Sequence, residues 1–218
     1  MPLTRRTAFA AMLASPAAAQ EPLMRRPQSY HQRRYAVVVR QVLEYSCGSA
    51  SLATLLTYYL STPTTEVQVI TILRQRYPQP EDWQRKQATG FSFEDIIFAA
   101  DRLGFAAQAA RIDVAELPHL AGPVIVHLNK GEWQHFSVLR AARAGGYHMA
   151  DPIQGEATML EHEFRREFTG AVLAVWRRGE PLPRNSPLQA VRDGVSVETT
   201  ISRAIQNALP HPAFVLPY

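Results

Sequence analysis

The sequence predicts an α+β domain, with helices in its first half and a mainly antiparallel sheet in its second half. A change in the spacing of apolar residues predicts this order. Between Cys47 and Leu103 apolar residues recur every three or four positions, as on one face of a helix. After Phe105 they tend to alternate, as in strands. With 46% hydrophobic and 19% charged residues, the 218-residue chain can form one folded domain with appendages.

The first 19 residues have the pattern of an export signal. Arg5 and Arg6 give a positively charged start, residues 7–15 form a short apolar stretch, and the alanines at 17–19 offer a cleavage site of small residues. The segment around the two arginines also resembles a twin-arginine signal, so both the general secretory and the twin-arginine routes are open. An ordinary amphipathic N-terminus is the alternative. We expect a protein that is exported to the periplasm.

Charge, hydropathy and cysteine content exclude several functional classes. The formal net charge is +4, of which Arg5 and Arg6 contribute two, and the basic arm at 20–33 is expected to be solvated. No nucleic-acid fold signature accompanies this arm, so nucleic acid is not an expected partner. No apolar run approaches the roughly 18 residues that span a membrane, which excludes a multi-pass membrane protein. A single cysteine, Cys47, excludes an intrachain disulfide and any multi-cysteine metal site.

A short strand and three helices precede the predicted sheet. Ser61-Thr62-Pro63 ends the first helix, and Pro78-Gln79-Pro80 ends the second. Ser92 as N-cap and Asp95 three residues later mark the start of the third helix, and Gly104 marks its end. The predicted strand is 35–39, and the predicted helices are about 47–60, 65–77 and 93–103.

Five strands follow, and a short helix interrupts the last pair. Turn residues at 129–131 and at Gly145-Gly146 separate the middle strands. We expect the domain to span 34–179, followed by a proline-rich tail at 180–218 with a helix near 197–209. The predicted strands are 105–111, 124–128, 134–141, 147–150 and 171–177, and the short helix is about 160–168.

Cys47 is predicted to lie at the N-terminus of the first helix. There the helix dipole and the unpaired backbone N–H groups favour a thiolate, which is the nucleophilic form of cysteine. Gly48 follows it and would let a substrate or a backbone segment approach closely. The alternative is a buried cysteine that acts as a small hydrophobic residue. Cys47 precedes the apolar stripe of the helix, which favours a reactive thiol.

A thiolate that attacks an acyl group needs a general base, a residue that orients the base, and donors for the oxyanion. His135 is the candidate base, because it begins a strand directly after a loop and has Trp133 beside it. Asp151 ends the next predicted strand, where antiparallel pairing would bring its carboxylate to the His135 ring. Gln41, six residues before Cys47, is the candidate that joins the Cys47 backbone N–H in binding the oxyanion. An ordinary core histidine, a turn aspartate and a polar loop residue are the structural alternatives.

In order and spacing, these residues resemble the C39 family of papain-like cysteine peptidases, the bacteriocin-processing type. The resemblance spans about residues 34–177. The motifs that carry it are Gln41-x5-Cys47-Gly48, Trp133-x-His135-Phe136-x-Val138-Leu139 and Asp151-Pro152-x-x-Gly155.

The resemblance implies a papain-like fold and a role for each residue of the site. Cys47 would be the nucleophile, His135 the general base and acid, Asp151 the residue that orients it, and Gln41 the oxyanion donor. We further expect Gly48 and Trp133 to contact the substrate. This chemistry uses no metal and no cofactor, and the sequence has no His-Glu-x-x-His or comparable ligand set.

Members of this family are best known as the peptidase domains of ABC exporters, which cut a leader peptide after a Gly-Gly pair. The export signal indicates instead a stand-alone, exported member that acts on a peptide or protein substrate, with a secretion-system component as an expected partner. The alternative from another class is a catalytically silent C39-like module that binds peptides and assists a secretion system. An amidase or a transglutaminase-like enzyme would use the same Cys-His-Asp chemistry.

Overall fold

The structure, a computed structural model, describes residues 29–143 and 146–189. The helices lie mainly in the first half of this region, as predicted. Glu66–Arg76 and Phe93–Arg102 each begin with a capping box, at Thr65 and Ser92, which satisfies the first free N–H groups of the helix. The helices are α1 (Tyr30–Arg34), α2 (Cys47–Thr54), α3 (Glu66–Arg76), α4 (Pro80–Thr89), α5 (Phe93–Arg102) and α6 (Glu161–Glu167); a π-helical turn, Leu55–Tyr59, extends α2.

Six strands form one sheet in which every neighbouring pair is antiparallel. Its strand order is β1-β6-β2-β3-β4-β5, so the strand closest to the C-terminus lies inside the sheet. The start of β3 lies beside the end of β4, because these two strands are antiparallel neighbours. The strands are β1 (Phe105–Arg111), β2 (Val124–Asn129), β3 (Gln134–Arg143), β4 (Gly146–Asp151), β5 (Gly155–Met159) and β6 (Phe168–Arg177).

Both faces of the sheet are covered. Helices α2, α3 and α5 pack on one face and form the larger core cluster, which includes Leu52, Leu73 and Ile96. A 3₁₀ helix, Val114–His119, and α6 cover the other face and form a second cluster around Phe164. The central strand β2 is therefore buried on both sides, which explains its nearly continuous apolar sequence.

The predicted strand at 35–39 is wrong. The chain there continues from α1 in a series of turns, in which the backbone N–H groups of Ala36 and Val38 donate to the carbonyls of Arg33 and Tyr35, and it pairs with no strand. The backbone N–H of Val39 donates to Thr54 Oγ1 at 3.0 Å, and Val38 packs into the larger core cluster. A run of valines is equally suited to packing against a helix, so its composition alone does not identify a sheet partner.

Four elements are present that the sequence pattern did not indicate: α1, α4, the 3₁₀ helix and β5. Helix α4 has no buried residue, so its apolar spacing is weak, although Pro80 at its start and Gly90 at its end are ordinary helix signals. Strand β5 lies at the edge of the sheet and is mostly half-buried, so it lacks a clear alternation.

The proline-rich segment begins on the surface of the domain and contributes to its core. Leu188 is fully buried in the larger core cluster, and its carbonyl accepts a hydrogen bond from Arg140 Nε at 2.9 Å. The predicted signal peptide, most of the basic arm, Gly145 and the helix near 197–209 lie outside the described residues. Within residues 29–143 and 146–189, no helix is long and apolar enough to cross a membrane.

Candidate active site

Cys47 is the first residue of α2 and is partly exposed. The other seven residues of this helix are buried, so the helix is held rigidly with only its first residue at the surface. Ser51, one turn further along, donates a hydrogen bond to the carbonyl of Phe136 at 3.2 Å. That bond attaches the helix of Cys47 to the strand of His135. The thiol therefore lies at a helix N-terminus, as the sequence predicted, and next to β3.

His135 and Asp151 form a buried hydrogen-bonded pair. His135 Nε2 lies 2.7 Å from Asp151 Oδ2, and the two residues are 1% and 6% exposed. The other carboxylate oxygen, Oδ1, accepts the backbone N–H groups of Ile153 and Gln154, each at 2.9 Å. These two bonds close the turn between β4 and β5 and fix the direction of the carboxylate. The structure therefore brings together the two residues that the strand order predicted to be neighbours.

The surroundings of His135 favour its charged form. Burial by itself would lower the pKa of His135, but the hydrogen bond and the charge of Asp151, together with the nearby Cys47 sulfur, raise it to about 9. Burial likewise would raise the pKa of Asp151. Hydrogen bonds from His135 and from the two backbone N–H groups of the turn outweigh it and lower that pKa. The pair is therefore an imidazolium and a carboxylate at neutral pH.

The second ring nitrogen of His135 is the one that remains for the thiol. Nε2 is taken by Asp151, while the buried Nδ1 has no hydrogen bond of ordinary geometry. Cys47 is close enough to raise the pKa of this ring, and Nδ1 is the ring nitrogen that Asp151 leaves open to it. A cysteine beside a histidine that is paired with a carboxylate can act as a nucleophile, and the histidine can deliver a proton to a leaving group.

The other two strand histidines have different neighbours. His127 Nδ1 lies 3.0 Å from Thr169 Oγ1, and burial, together with the charges of Arg111 and His135, lowers its pKa. The ring of His148 contacts Thr158 Oγ1 at 3.1 Å. Of these three rings, His135 is the one that pairs with a carboxylate in the described part of the chain.

Gln41 lies next to the site but its carboxamide faces its own loop. Nε2 donates to the carbonyls of Leu43 and Glu44 at 2.6 and 3.0 Å, while the buried Oε1 has no partner in the described residues. The backbone N–H of Gln41 donates to the carbonyl of Pro152 at 2.9 Å. The loop that precedes Cys47 is thereby joined to the turn that carries Asp151.

Of the two residues expected to contact the substrate, Trp133 is exposed and Gly48 is buried. Trp133 is 48% exposed, and its ring centroid is 5.0 Å from that of His135. Gly48 is buried, and a Cβ at this position would lie 3.0 Å from Ile96 and 3.2 Å from Phe136. The close packing of these core side chains accounts for the glycine, and contact of Gly48 with a substrate stays a prediction.

Two buried residues beside the site were not singled out from the sequence. Glu66, at the start of α3, is 3% exposed, and Ser46, directly before Cys47, is fully buried. An acidic residue in the first turn of a helix is common, so its type and position gave no signal of burial. No group of three His, Cys, Asp or Glu side chains that could hold a metal ion occurs within residues 29–143 and 146–189.

Comparison with known proteins gives a consistent family match. A family model described as the peptidase C39 family matches residues 35–180. The "probable functional amyloid protease FapD" of Pseudomonas aeruginosa is 33% identical over 159 residues, which cover 71% of this chain and 69% of that protein. The "colicin V secretion/processing ATP-binding protein CvaB" of Escherichia coli is 28% identical over 148 residues, which cover 68% of this chain and 19% of that protein.

A solved structure extends this likeness to the fold. The peptidase domain of Streptococcus ComA, a bi-functional ABC transporter involved in a quorum-sensing pathway, superimposes with a TM-score of 0.55. The likeness covers 65% of this chain and 98% of that domain, at 22% sequence identity. The prediction of a papain-like α+β fold is thereby confirmed.

Proposed function

Because the chain belongs to the peptidase C39 family, a family of cysteine peptidases, we propose that it is an exported endopeptidase with Cys47 as its nucleophile. The single observation that carries the proposal is the buried hydrogen bond of 2.7 Å between His135 and Asp151, beside the lone thiol at the start of α2. In the proposal, Cys47 supplies the nucleophile, His135 the general base and acid, and Asp151 the group that orients the base, as acyl transfer by a thiolate requires.

In the proposed reaction, the Cys47 thiolate attacks the carbonyl carbon of the scissile peptide bond. The imidazolium of His135 then gives its proton to the leaving amine, and a thioester remains on Cys47. Neutral His135 next accepts a proton from water, which attacks the thioester, releases the acid and restores the thiolate. Asp151 keeps the ring oriented and stabilises its charge in both steps.

The oxyanion of each tetrahedral intermediate would be held by the Cys47 backbone N–H and the Gln41 carboxamide. In the free protein, Gln41 Nε2 donates to Leu43 and Glu44. Binding the oxyanion therefore requires Nε2 to exchange one of these carbonyls for the substrate oxygen. Trp133, exposed beside His135, is proposed to pack against the bound peptide.

We propose a secreted protein or its leader peptide as the substrate, with cleavage after Gly-Gly as the first specificity to test. The names of the relatives support this class: one is a probable functional amyloid protease, and another is a secretion/processing protein. The export pattern at residues 1–19 supports action in the periplasm, next to a secretion system.

The test is to incubate the protein from residue 20 onward with a diverse peptide library that includes Gly-Gly peptides, under reducing conditions. Mass spectrometry identifies the cuts, and the Cys47→Ala variant is measured in parallel. Cuts that require Cys47 support the proposal and reveal the sequence preference. Retention of peptides without any cut would contradict it and would favour the silent peptide-binding module.

A further inference from the structure

Glu66 is a buried carboxylate for which the proposed catalytic residues give no explanation. It is 3% exposed, and no Lys, Arg or His within residues 29–143 and 146–189 forms an ion pair with it. A carboxylate is costly to bury unless hydrogen bonds compensate it. It occupies the first position of α3, after the Thr65 N-cap, where the helix dipole also offsets its charge.

The hydrogen bonds of Glu66 go to the two ends of the loop that precedes the thiol. The backbone N–H of Val42 lies 3.1 Å from each of its carboxylate oxygens. At the other end, the hydroxyl of Ser46 hydrogen-bonds to Glu66 Oε1. The single hydroxyl hydrogen of Ser46 has two acceptors in reach, Glu66 Oε1 and the carbonyl oxygen of Leu43 at 2.7 Å. The charged carboxylate is the stronger of the two acceptors.

These two attachment points are the immediate neighbours of the proposed oxyanion donors. Val42 follows Gln41, whose side chain is one donor, and Ser46 precedes Cys47, whose backbone N–H is the other. A rigid carboxylate between them sets the separation of the two donors. Oxyanion donors stabilise only the charge that develops in the transition state, so their spacing affects the rate more than substrate binding.

We propose that Glu66 is a positioning residue that holds the 42–46 loop so that the Gln41 carboxamide and the Cys47 N–H form the oxyanion site. This inference rests on the proposed function, since it assigns Glu66 a part in the same acyl transfer. Glu66 does not touch the reacting atoms.

Two reactions of Cys47 separate this role from a general loss of structure. Acylation by p-nitrophenyl acetate forms a tetrahedral oxyanion, whereas alkylation by iodoacetamide forms none. Glu66→Gln should therefore slow acylation by at least about tenfold, while alkylation changes by less than about threefold. Glu66→Ala, which removes both attachment points, should slow acylation further, and Ser46→Ala, which removes one, should have a smaller effect.

Asp95→Asn is the matched control. Asp95 is also a buried carboxylate at a helix start, but its partners are Ser92, Tyr77, Arg76 and Lys86, none of which belongs to the 42–46 loop. It should change the melting temperature without changing the ratio of the two rates. If Glu66→Ala does not fold, the isosteric Glu66→Gln still decides the question.

An equal fall of both rates in Glu66→Gln, or no change in either, would overturn the role of Glu66. Neither rate depends on peptide cleavage. A protein that cuts no peptide therefore refutes the proposed function alone, while the ratio of rates still tests Glu66. Where a cut peptide is known, the Glu66→Gln variant should lose kcat and keep KM.

Discussion

His135 holds its charge because its neighbours reverse the effect of its burial. The ring is almost completely buried, yet it lies between Asp151 and Cys47, and its pKa rises to about 9. A histidine in an apolar core would instead stay neutral, as His127 does with a lowered pKa. The contrast between these two strand histidines arises from their partners, because Asp151 and Cys47 lie beside His135, whereas Arg111 and His135 add to the effect of burial on His127.

The first prediction concerns the reactivity of the thiol. His135→Ala should slow alkylation of Cys47 by iodoacetamide at slightly acidic pH by at least about tenfold, because the imidazolium no longer stabilises the thiolate. It should also reduce peptide cleavage by about 10²- to 10⁴-fold, since proton transfer to the leaving amine is lost. His148→Ala is the control, because the His148 ring contacts Thr158 of the edge strand β5 and no carboxylate among the described residues. Equal alkylation rates in the two variants would exclude the ion pair.

The second prediction concerns pH and stability. The folded pKa of His135 is raised from 6.5 to about 9, so its contribution is complete below about pH 6.5 and is lost as the pH rises through about 9. The pKa of Asp151 is lowered, so its contribution is present above its ordinary value of 3.8 and is lost as the pH falls. The free energy of unfolding in urea should therefore decrease between pH 6.5 and pH 9.

Asp151→Asn provides the comparison for that measurement. Without the carboxylate, the pKa of His135 falls towards its ordinary value, so the decrease in stability above pH 6.5 should become smaller. The alkaline limb of kcat/KM should move to lower pH in the same variant, because it reports the acid of the free enzyme. A limb that stays in place would show that another group controls it.

At the scale of elements, the site depends on a close contact between the N-terminal segment and the β4–β5 turn. Gly155 has φ of +79°, and a Cβ there would lie 2.4 Å from the carbonyl oxygen of Arg34. Next to it, the Tyr35 hydroxyl donates to the carbonyl of Ile153, and Gln41 donates to Pro152. Tyr35, from the segment that the sequence predicted as a strand, and the nearby Gln41 thus hydrogen-bond to the turn that follows Asp151.

Gly155→Ala should therefore affect both stability and activity. The left-handed backbone alone costs an alanine about 1 kcal/mol, and the clash with Arg34 should raise the loss to at least about 2 kcal/mol. Gly104→Ala is the matched control, because Gly104 has φ of +87° and no atom within 4 Å of its added Cβ. Urea unfolding and peptide cleavage of both variants test this. Equal stability losses would show that the contact with Arg34 is unimportant.

At the scale of the whole molecule, residues beyond the predicted domain complete its core. The chain leaves the sheet at Arg177, yet Leu188 returns to the larger cluster with no exposed surface. Arg140 of β3 holds this part of the chain against the domain by donating hydrogen bonds to the carbonyls of Pro187 and Leu188. The folding unit therefore includes the first ten residues of the proline-rich segment.

Leu188→Ala should destabilise the protein by about 2–5 kcal/mol, because it removes a fully buried side chain and leaves a cavity. Leu160→Ala is the control. Leu160 is 51% exposed, so its loss should cost no more than about 0.5 kcal/mol. Thermal unfolding of the two variants makes the comparison, and a small shift for Leu188→Ala would mean that this segment contributes little to the core.

The sequence alone determined the fold class, most element positions and the family. Capping boxes, proline stops and apolar spacing are local signals, and they located α2, α3, α5, α6 and five of the six strands. The α+β fold and the peptidase C39 family are confirmed. The edge strand β5 and the exposed helix α4 were not predicted, because they bury too little apolar surface to produce a strong spacing of apolar residues.

Only the tertiary structure decided which polar groups meet. Strand order allowed His135 and Asp151 to be neighbours, but the bond between them depends on the register of β3 and β4 and on the turn that closes over Asp151. The burial of Glu66 and the position of Leu188 in the core depend on contacts between residues far apart in the chain. The sequence determines such contacts only through the packing of the whole domain, because no local pattern of residue types encodes them.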